Sequence, residues 1–407
     1  MSRPNLLSHT PVYGRLVAMK IAVCTTEGRA DDVLTWSGTP ANVVSALRSV
    51  GADFVVLDEP SPLLVRSGKV LAAASKRARC KVNWEVEPWL VRKLTRDAQA
   101  QARRAKADLL LLLGWHTLGV EKGDVPAVLW TDATFAQRLG KAPHWKHLSG
   151  RTRRQVEPVE GESLREMATV IMASTAACED AISRYHLDPS RVHRIGFGAN
   201  LGGVEAEPRS RMGNPPRLLT VGVQWERKGM DRCVLIADEL RRRGIPAHLD
   251  VVGVRPPDSS WRRDYVTYHG FLHKNDDEER AKLESLYKAA DLFVLPTRNE
   301  PFGIVFAEAA AYALPSLGSS VDGVPDVVKH GDSGILLPAA ASAAQYADEI
   351  ADLLSSPTHY ATLSHGAVKH YRSSLTWETV VRAVLDVCEI AAQSPAAHPT
   401  ESPVRSA

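Results

Sequence analysis

Two kinds of apolar pattern alternate along the chain. Short continuous runs such as "KIAVCTT" (20–26), "ADFVVLDEP" (52–60), "ADLLLLLGWH" (107–116) and "PAVLWTDATF" (126–135) predict buried strands. "ESLREMATVIMAST" predicts a helix running into a strand that ends at Ser174. "TAACEDAISRYHL" predicts a helix, and "SRVHRIGFGANLG" a strand leaving the first half. In "SGTPANVVSALRSVG", Thr39 suits an N-cap, Pro40 the first helical position and Gly51 the helix stop. Continuous apolar strands separated by helical periods are the pattern of a parallel sheet covered on both faces.

"GVEAEPRSRMGNPPR" (203–217) breaks the pattern with Gly, Pro and charge, as a domain linker does. The alternation then restarts. "LLTVGVQ", "AHLDVVG", "VTYHGFL", "DLFVLPT" and "PSLGS" predict strands. "MDRCVLIADELRRRG", "DEERAKLESLYKAA" and "GIVFAEAAAYAL" predict helices. "TWETVVRAVLDVCEIAA" predicts a last helix capped by Thr376. The expected organisation is a flexible leader over 1–18, with Met19 as an alternative start. Two doubly wound α/β domains follow, 19–205 and 206–375. Then come a helix over 376–392, free to cross back to the first domain, and a disordered tail over 393–407. In such sheets ligands bind at the carboxyl ends of strands, so a cleft between the domains is the natural site.

Composition changes this picture little. The 407 residues fit two domains, and 44% hydrophobic with 24% charged residues excludes a disordered chain. No apolar run reaches the roughly 18–20 residues that span a bilayer. Cys24, Cys80, Cys178, Cys233 and Cys388 are scattered without zinc-site spacing and read as buried reduced thiols of a cytoplasmic protein. A net charge of +3 is too small to imply nucleic acid. Its distribution says more: twelve Lys/Arg stand between Arg66 and Lys106 against Glu85, Glu87 and Asp97, with Trp84 and Trp89 interleaved. Lys146, Arg151, Arg153 and Arg154 form a second cluster. Either is a solvated face, or a surface for an anionic acceptor or membrane.

Candidate chemistry collects after two strands of the second half. Arg227 and Lys228 follow "LLTVGVQ", and a guanidinium beside an ammonium suits a diphosphate. Glu300 follows "DLFVLPT". "PFG" makes the turn, and a helix begins near Gly303–Ile304, carrying Glu308 within two turns. Carboxylates aimed at a cleft accept hydrogen bonds from sugar or ribose hydroxyls, while the helix start offers amides to an anion. The bland alternative is a pair of surface acids favouring a helix start. Neither G-x-G-x-x-G after a first strand nor a P-loop is present.

"VGVQWERKG", "EPFGIVFAEAAAYALPSLGSSVDGVPDVVKHGDSGILLP" and "RIGFGANL" resemble glycosyltransferase family 4, densely over 218–338 and more loosely before. The resemblance implies the GT-B fold, two Rossmann-like domains facing a central cleft. It also implies retaining hexosyl transfer, without a metal or cofactor, from a nucleotide-diphosphate sugar, a UDP-sugar first and GDP-mannose second. It implies Arg227 and Lys228 on the diphosphate near Gly222, Glu308 on the ribose, Glu300 on the donor sugar, and the amides of Phe302, Gly303 and Ile304 on sugar and phosphate. Gly38 in "TWSGTPAN" would lie near the diphosphate and acceptor. Two positions depart from the pattern. Asp132 stands where many relatives have a histidine, so a carboxylate makes that sugar contact or it is absent. Asp326 replaces a usual Glu. A nucleotide-sugar 2-epimerase of the same fold and a non-catalytic nucleotide-sugar binder are the alternatives. Acceptor and oligomeric state stay open.

Overall fold

Each continuous apolar run forms a parallel strand in the computed structural model, which describes residues 19–25, 28–77, 86–114, 123–139, 148–202 and 206–393. The leader, the tail beyond Gln393, Cys80 and Trp84 lie outside the described residues.

The first half contains β1 (Lys20–Cys24), α1 (Thr39–Ser49), β2 (Asp53–Val56), α2 (Pro62–Arg77), α3 (Pro88–Arg104), β3 (Leu109–Leu113), β4 (Ala127–Thr131), α4 (Phe135–Arg138), α5 (Gly150–Glu166), β5 (Thr169–Met172), α6 (Thr175–Tyr185) and β6 (Val192–Arg194). Its sheet runs β2-β1-β3-β4-β5-β6, all parallel. The five leucines of β3 are all buried at its centre, each contributing about 1.5–3 kcal/mol by leaving water.

The second half contains β7 (Arg217–Val221), α7 (Trp225–Lys228), α8 (Met230–Arg242), β8 (His248–Val252), β9 (Val266–Gly270), α9 (Asp277–Ala289), β10 (Leu292–Leu295), α10 (Ile304–Ala311), β11 (Ser316–Ser319), α11 (Val324–Val327), β12 (Gly334–Leu337), α12 (Ala343–Ser355), α13 (Pro357–His370) and α14 (Trp377–Gln393). Its parallel sheet runs β12-β11-β10-β7-β8-β9.

Several expectations need correction. Thr39 is the first helical residue of α1, not its cap. Gly38 holds the cap position in a left-handed turn (φ 80°) that a side chain would strain. Helix α5 starts at Gly150, well before "ESLREM", so Arg151, Arg153 and Arg154 lie on a helix. The described parts of the basic stretch from Arg66 to Lys106 are also mainly helical, in α2 (Pro62–Arg77) and α3 (Pro88–Arg104), while Arg79, Lys81 and Lys146 lie outside the described residues. In α3, Leu90, Leu94, Ala98 and Ala102 recur every four residues and are buried, while Arg92, Lys93, Arg103 and Arg104 face solvent. Helices α12 and α13 were not read from the sequence at all. Thr376 does cap α14, its hydroxyl accepting from the Thr379 N–H at 3.2 Å.

The two sheets are joined by close packing. Helix α14 follows the second half in sequence, yet it packs on α1, β4 and β5 of the first. The segment after β6 threads between them. A Cβ on Gly196 would come within 2.6 Å of the Phe302 ring, and one on Gly198 within 2.6 Å of Trp377. Phe197 packs edge-on against Phe302 and Trp36, with centroids at 5.4 and 5.3 Å, and tilts against Trp130 at 5.1 Å. Asp326, on α11, takes hydrogen bonds from the Thr175 N–H and hydroxyl, both 2.7 Å, at the start of α6.

Candidate functional site

Strands β7 and β10 are neighbours, and the strand order runs in opposite senses on either side of them. That is the topological switch point of the second sheet, and sheets of this kind bind ligands there, at the carboxyl ends of the strands. Both candidate clusters are placed there. After Val221 the chain passes Gly222 and makes the single turn α7, which ends in Arg227 and Lys228. After Leu295 it loops through Glu300 to α10. The two loops are tied together: the Arg227 carbonyl accepts from the Arg298 N–H at 2.8 Å and the Thr297 hydroxyl at 3.0 Å.

Lys228 and Glu300 are buried and ion-paired. Arg227 approaches the same Glu300 carboxylate at 3.7 Å and donates to the Asn299 carbonyl at 2.8 Å. Burial, with Arg227 adding to it, lowers the Lys228 ammonium below its ordinary value, and Glu300 opposes that shift. Gly222 makes room for this lysine: a Cβ there would meet Lys228 Cγ and Met230 Cε at 2.9 Å.

Gly303 caps α10 in a left-handed conformation (φ 97°), and no side chain caps that helix. The first-turn amides of α10, beginning at Ile304, therefore lie beside the Glu300 loop without a capping side chain. Phe302 is buried between the domains. Glu308 is fully buried in the second turn of α10. It pairs with the Lys274 ammonium and accepts from the Tyr287 hydroxyl at 3.1 Å. Burial and the Glu308 charge push that phenol well above its ordinary value.

The structure thus brings Gly222, Arg227, Lys228, Glu300, Phe302, Gly303, Ile304 and Glu308 to one end of one sheet. Asp132 stands in the other half, at the carboxyl end of β4, ion-paired with Arg138. Gly38 stands at the start of α1, its carbonyl accepting from Asn42 at 2.9 Å. Sequence reasoning missed Lys274, Tyr287 and Asp322. Asp322 accepts from the Glu300 N–H at 3.0 Å and from the Asn299 side chain. None of the three has a spacing relation to the acids; only the fold brings them near. Among the described residues, no cluster of three or more His, Cys, Asp or Glu is placed to hold a metal ion. Nor is any helix long and apolar enough to cross a membrane.

Residues 215–356 match the sequence pattern of the family described as "Glycosyl transferases group 1". The chain is 33% identical over 230 residues to a D-inositol 3-phosphate glycosyltransferase of Thermobispora bispora, covering 51% of this chain and 53% of that protein. It is 27% identical over 267 residues to a glycogen synthase of Mycobacterium tuberculosis, covering 65% and 63%. The chain thus spans less than two thirds of either relative's length. In fold it is similar to a sucrose-phosphate synthase from Thermosynechococcus elongatus (TM-score 0.64, 19% identity, 91% of this chain and 98% of that one). A glycosyltransferase from Rickettsia africae is similar too (TM-score 0.63, 12% identity, 92% and 99%). The fold is GT-B.

Proposed function

From the group 1 glycosyltransferases, the family to which residues 215–356 belong, we propose that this chain transfers a hexosyl group from a nucleotide-diphosphate sugar to an acceptor hydroxyl, with retention. The observation that carries the reading is the buried Lys228–Glu300 pair with Arg227 beside it, at the β7/β10 switch point and next to the uncapped start of α10. Two cations and a set of amides face one acid there, an arrangement suited to a diphosphate whose sugar needs hydroxyl contacts.

In this mechanism Arg227, Lys228 and the α10 amides neutralise the charge that develops on the leaving diphosphate. Glu300 accepts from the sugar hydroxyls, and Glu308 from the ribose. The C1–oxygen bond to the diphosphate breaks while the acceptor oxygen joins C1 on the same face. The acceptor's proton passes to the departing phosphate oxygen, so no side chain is required as a nucleophile. Lys228 exchanges part of its contact with Glu300 for phosphate on binding. Asp132, held by Arg138, lies in the half that would receive the acceptor. A UDP-sugar is the first choice of donor and GDP-mannose the second. A small sugar or cyclitol is one acceptor class, consistent with the inositol phosphate named for one relative.

Isothermal titration with UDP, GDP and ADP, followed by sugar-release assays in EDTA, tests the reading. One diphosphate should bind, its sugar should be released slowly without metal, and Lys228→Ala should lower kcat/KM by roughly 100-fold or more. Binding of none of them would overturn it.

Two helices carry exposed apolar and basic side chains that favour peripheral contact with an anionic membrane as well. Leu63, Val70 and Leu71 on α2 are 80%, 65% and 55% exposed, and Trp89 on α3 is 60% exposed. Arg66 and Lys69 on α2 and Arg92 and Lys93 on α3 are exposed too. Flotation with phosphatidylserine vesicles, but not phosphatidylcholine vesicles, is the expected result.

A further inference from the structure

One short segment of the second half, 322–326, holds the Glu300 backbone at one end and touches the first half at the other. The turn Asp322–Gly323 grips the Glu300 backbone at both ends. Asp322 takes the Glu300 N–H at 3.0 Å, and the Gly323 N–H donates to the Glu300 carbonyl at 3.0 Å. The grip is tight enough that a Cβ on Gly323 would lie 2.0 Å from the Pro301 oxygen. Three residues on, Asp326 reaches across to the first half. Its two carboxylate oxygens accept from the Thr175 N–H and hydroxyl at 2.7 Å each, and Arg194 stands 3.4 Å away. Thr175 opens α6 directly after β5, so Asp326 receives one of the amides that a helix start leaves without an internal partner. Phe302, two residues beyond Glu300, makes a second connection by packing on Phe197.

We infer that Asp326 is a positioning residue for the reaction: it couples the packing of the two domains to the placement of Glu300 against the donor sugar. The inference rests on the functional reading above. The chain of contacts runs by hydrogen bonds from α6 to Asp326, along the backbone of α11 to Asp322, and then by a hydrogen bond to Glu300 and an ion pair to Lys228. A shift of the first domain therefore moves the acid.

The test compares the full chain with Asp326→Ala, Asp326→Asn, Asp326→Glu and Thr175→Val. It reads the radius of gyration by small-angle scattering, the Kd for the nucleoside diphosphate, and kcat separately from KM. Asp326→Ala should raise the radius of gyration and lower kcat by about 10- to 100-fold, the effect of an ångström-scale misplacement. The diphosphate Kd should change less than about threefold, because Arg227 and Lys228 are untouched. Asp326→Asn and Thr175→Val each keep one of the two bonds, so their kcat should fall between those of the alanine variant and the wild type. Should the alanine variant fail to fold, these two carry the test. Unchanged kcat or unchanged scattering in all the variants would overturn the inference. If the wild type binds no nucleoside diphosphate, the functional reading fails instead. The scattering of the variants then decides alone whether Asp326 clasps the domains.

Discussion

Glu160 is the clearest residue whose behaviour follows from its surroundings. It is buried on α5, where it accepts from the Phe135 N–H at 2.7 Å and from the Tyr185 hydroxyl. Burial, partly offset by these bonds, pushes its carboxyl up to about 7 from an ordinary 4.5. The folded state thus prefers the protonated form. The group's stabilisation is fully present below about pH 4.5 and is lost as pH rises through 7. Glu160→Gln should remove that slope. Urea titrations at pH 5 and pH 8 should show the wild type losing about 2–3 kcal/mol more than the variant between the two. At the same scale, the positions of Arg227, Lys228 and Glu300 were legible because each follows a recognisable strand, and that of Glu308 because it lies on the helix after one. Lys274 was not, because its partner Glu308 is 34 positions away. Glu160 was not either, since nothing in "RRQVEPVEGESL" distinguishes a buried acid from the exposed acids around it.

At the scale of elements, the strands were legible and the helix starts were not. Strands such as β3 and β5 are buried on both faces, and so appear as unbroken apolar runs. Helix α3 carries its apolar residues on one stripe among many charges, and a count of charge conceals that stripe. Gly38 shows the limit of capping rules: a left-handed glycine took the position for which Thr39 had the better side chain. The turn before α11 is the element most sensitive to change. Gly323→Ala must displace the Pro301 carbonyl, and with it Glu300. It should destabilise the protein by about 1–3 kcal/mol, as overpacking does, and lower kcat more than donor affinity. Thermal unfolding together with steady-state kinetics checks both effects.

At the scale of the whole molecule, two parallel sheets followed from the alternation of patterns and the break near 203–217. How the domains meet did not, because the contacts depend on single residues such as Thr175, Phe197 and Asp326. The return of α14 to the first sheet rests on an apolar stripe that would have suited either domain. Removing α14 should therefore destabilise the first domain, not the second. Its loss would expose the β4 and β5 surface it now covers, where Trp130 of β4 packs on Trp377 with ring centroids 6.2 Å apart. Hydrogen exchange on a chain ending at Thr376 is expected to show loss of protection in β4 and β5 while β7 and β10 keep theirs.

The same helix sets an order of events on the ribosome. The last strand of the first sheet ends at Arg194, but the helix that covers the sheet begins at Trp377. At about 5–20 residues per second, the first domain waits roughly 10–40 s with an uncovered apolar face. The second domain can complete its own sheet at Leu337 in that interval. The half that is made first is thus the half that matures last, and a chaperone that holds nascent chains has its longest window on the surface reserved for α14.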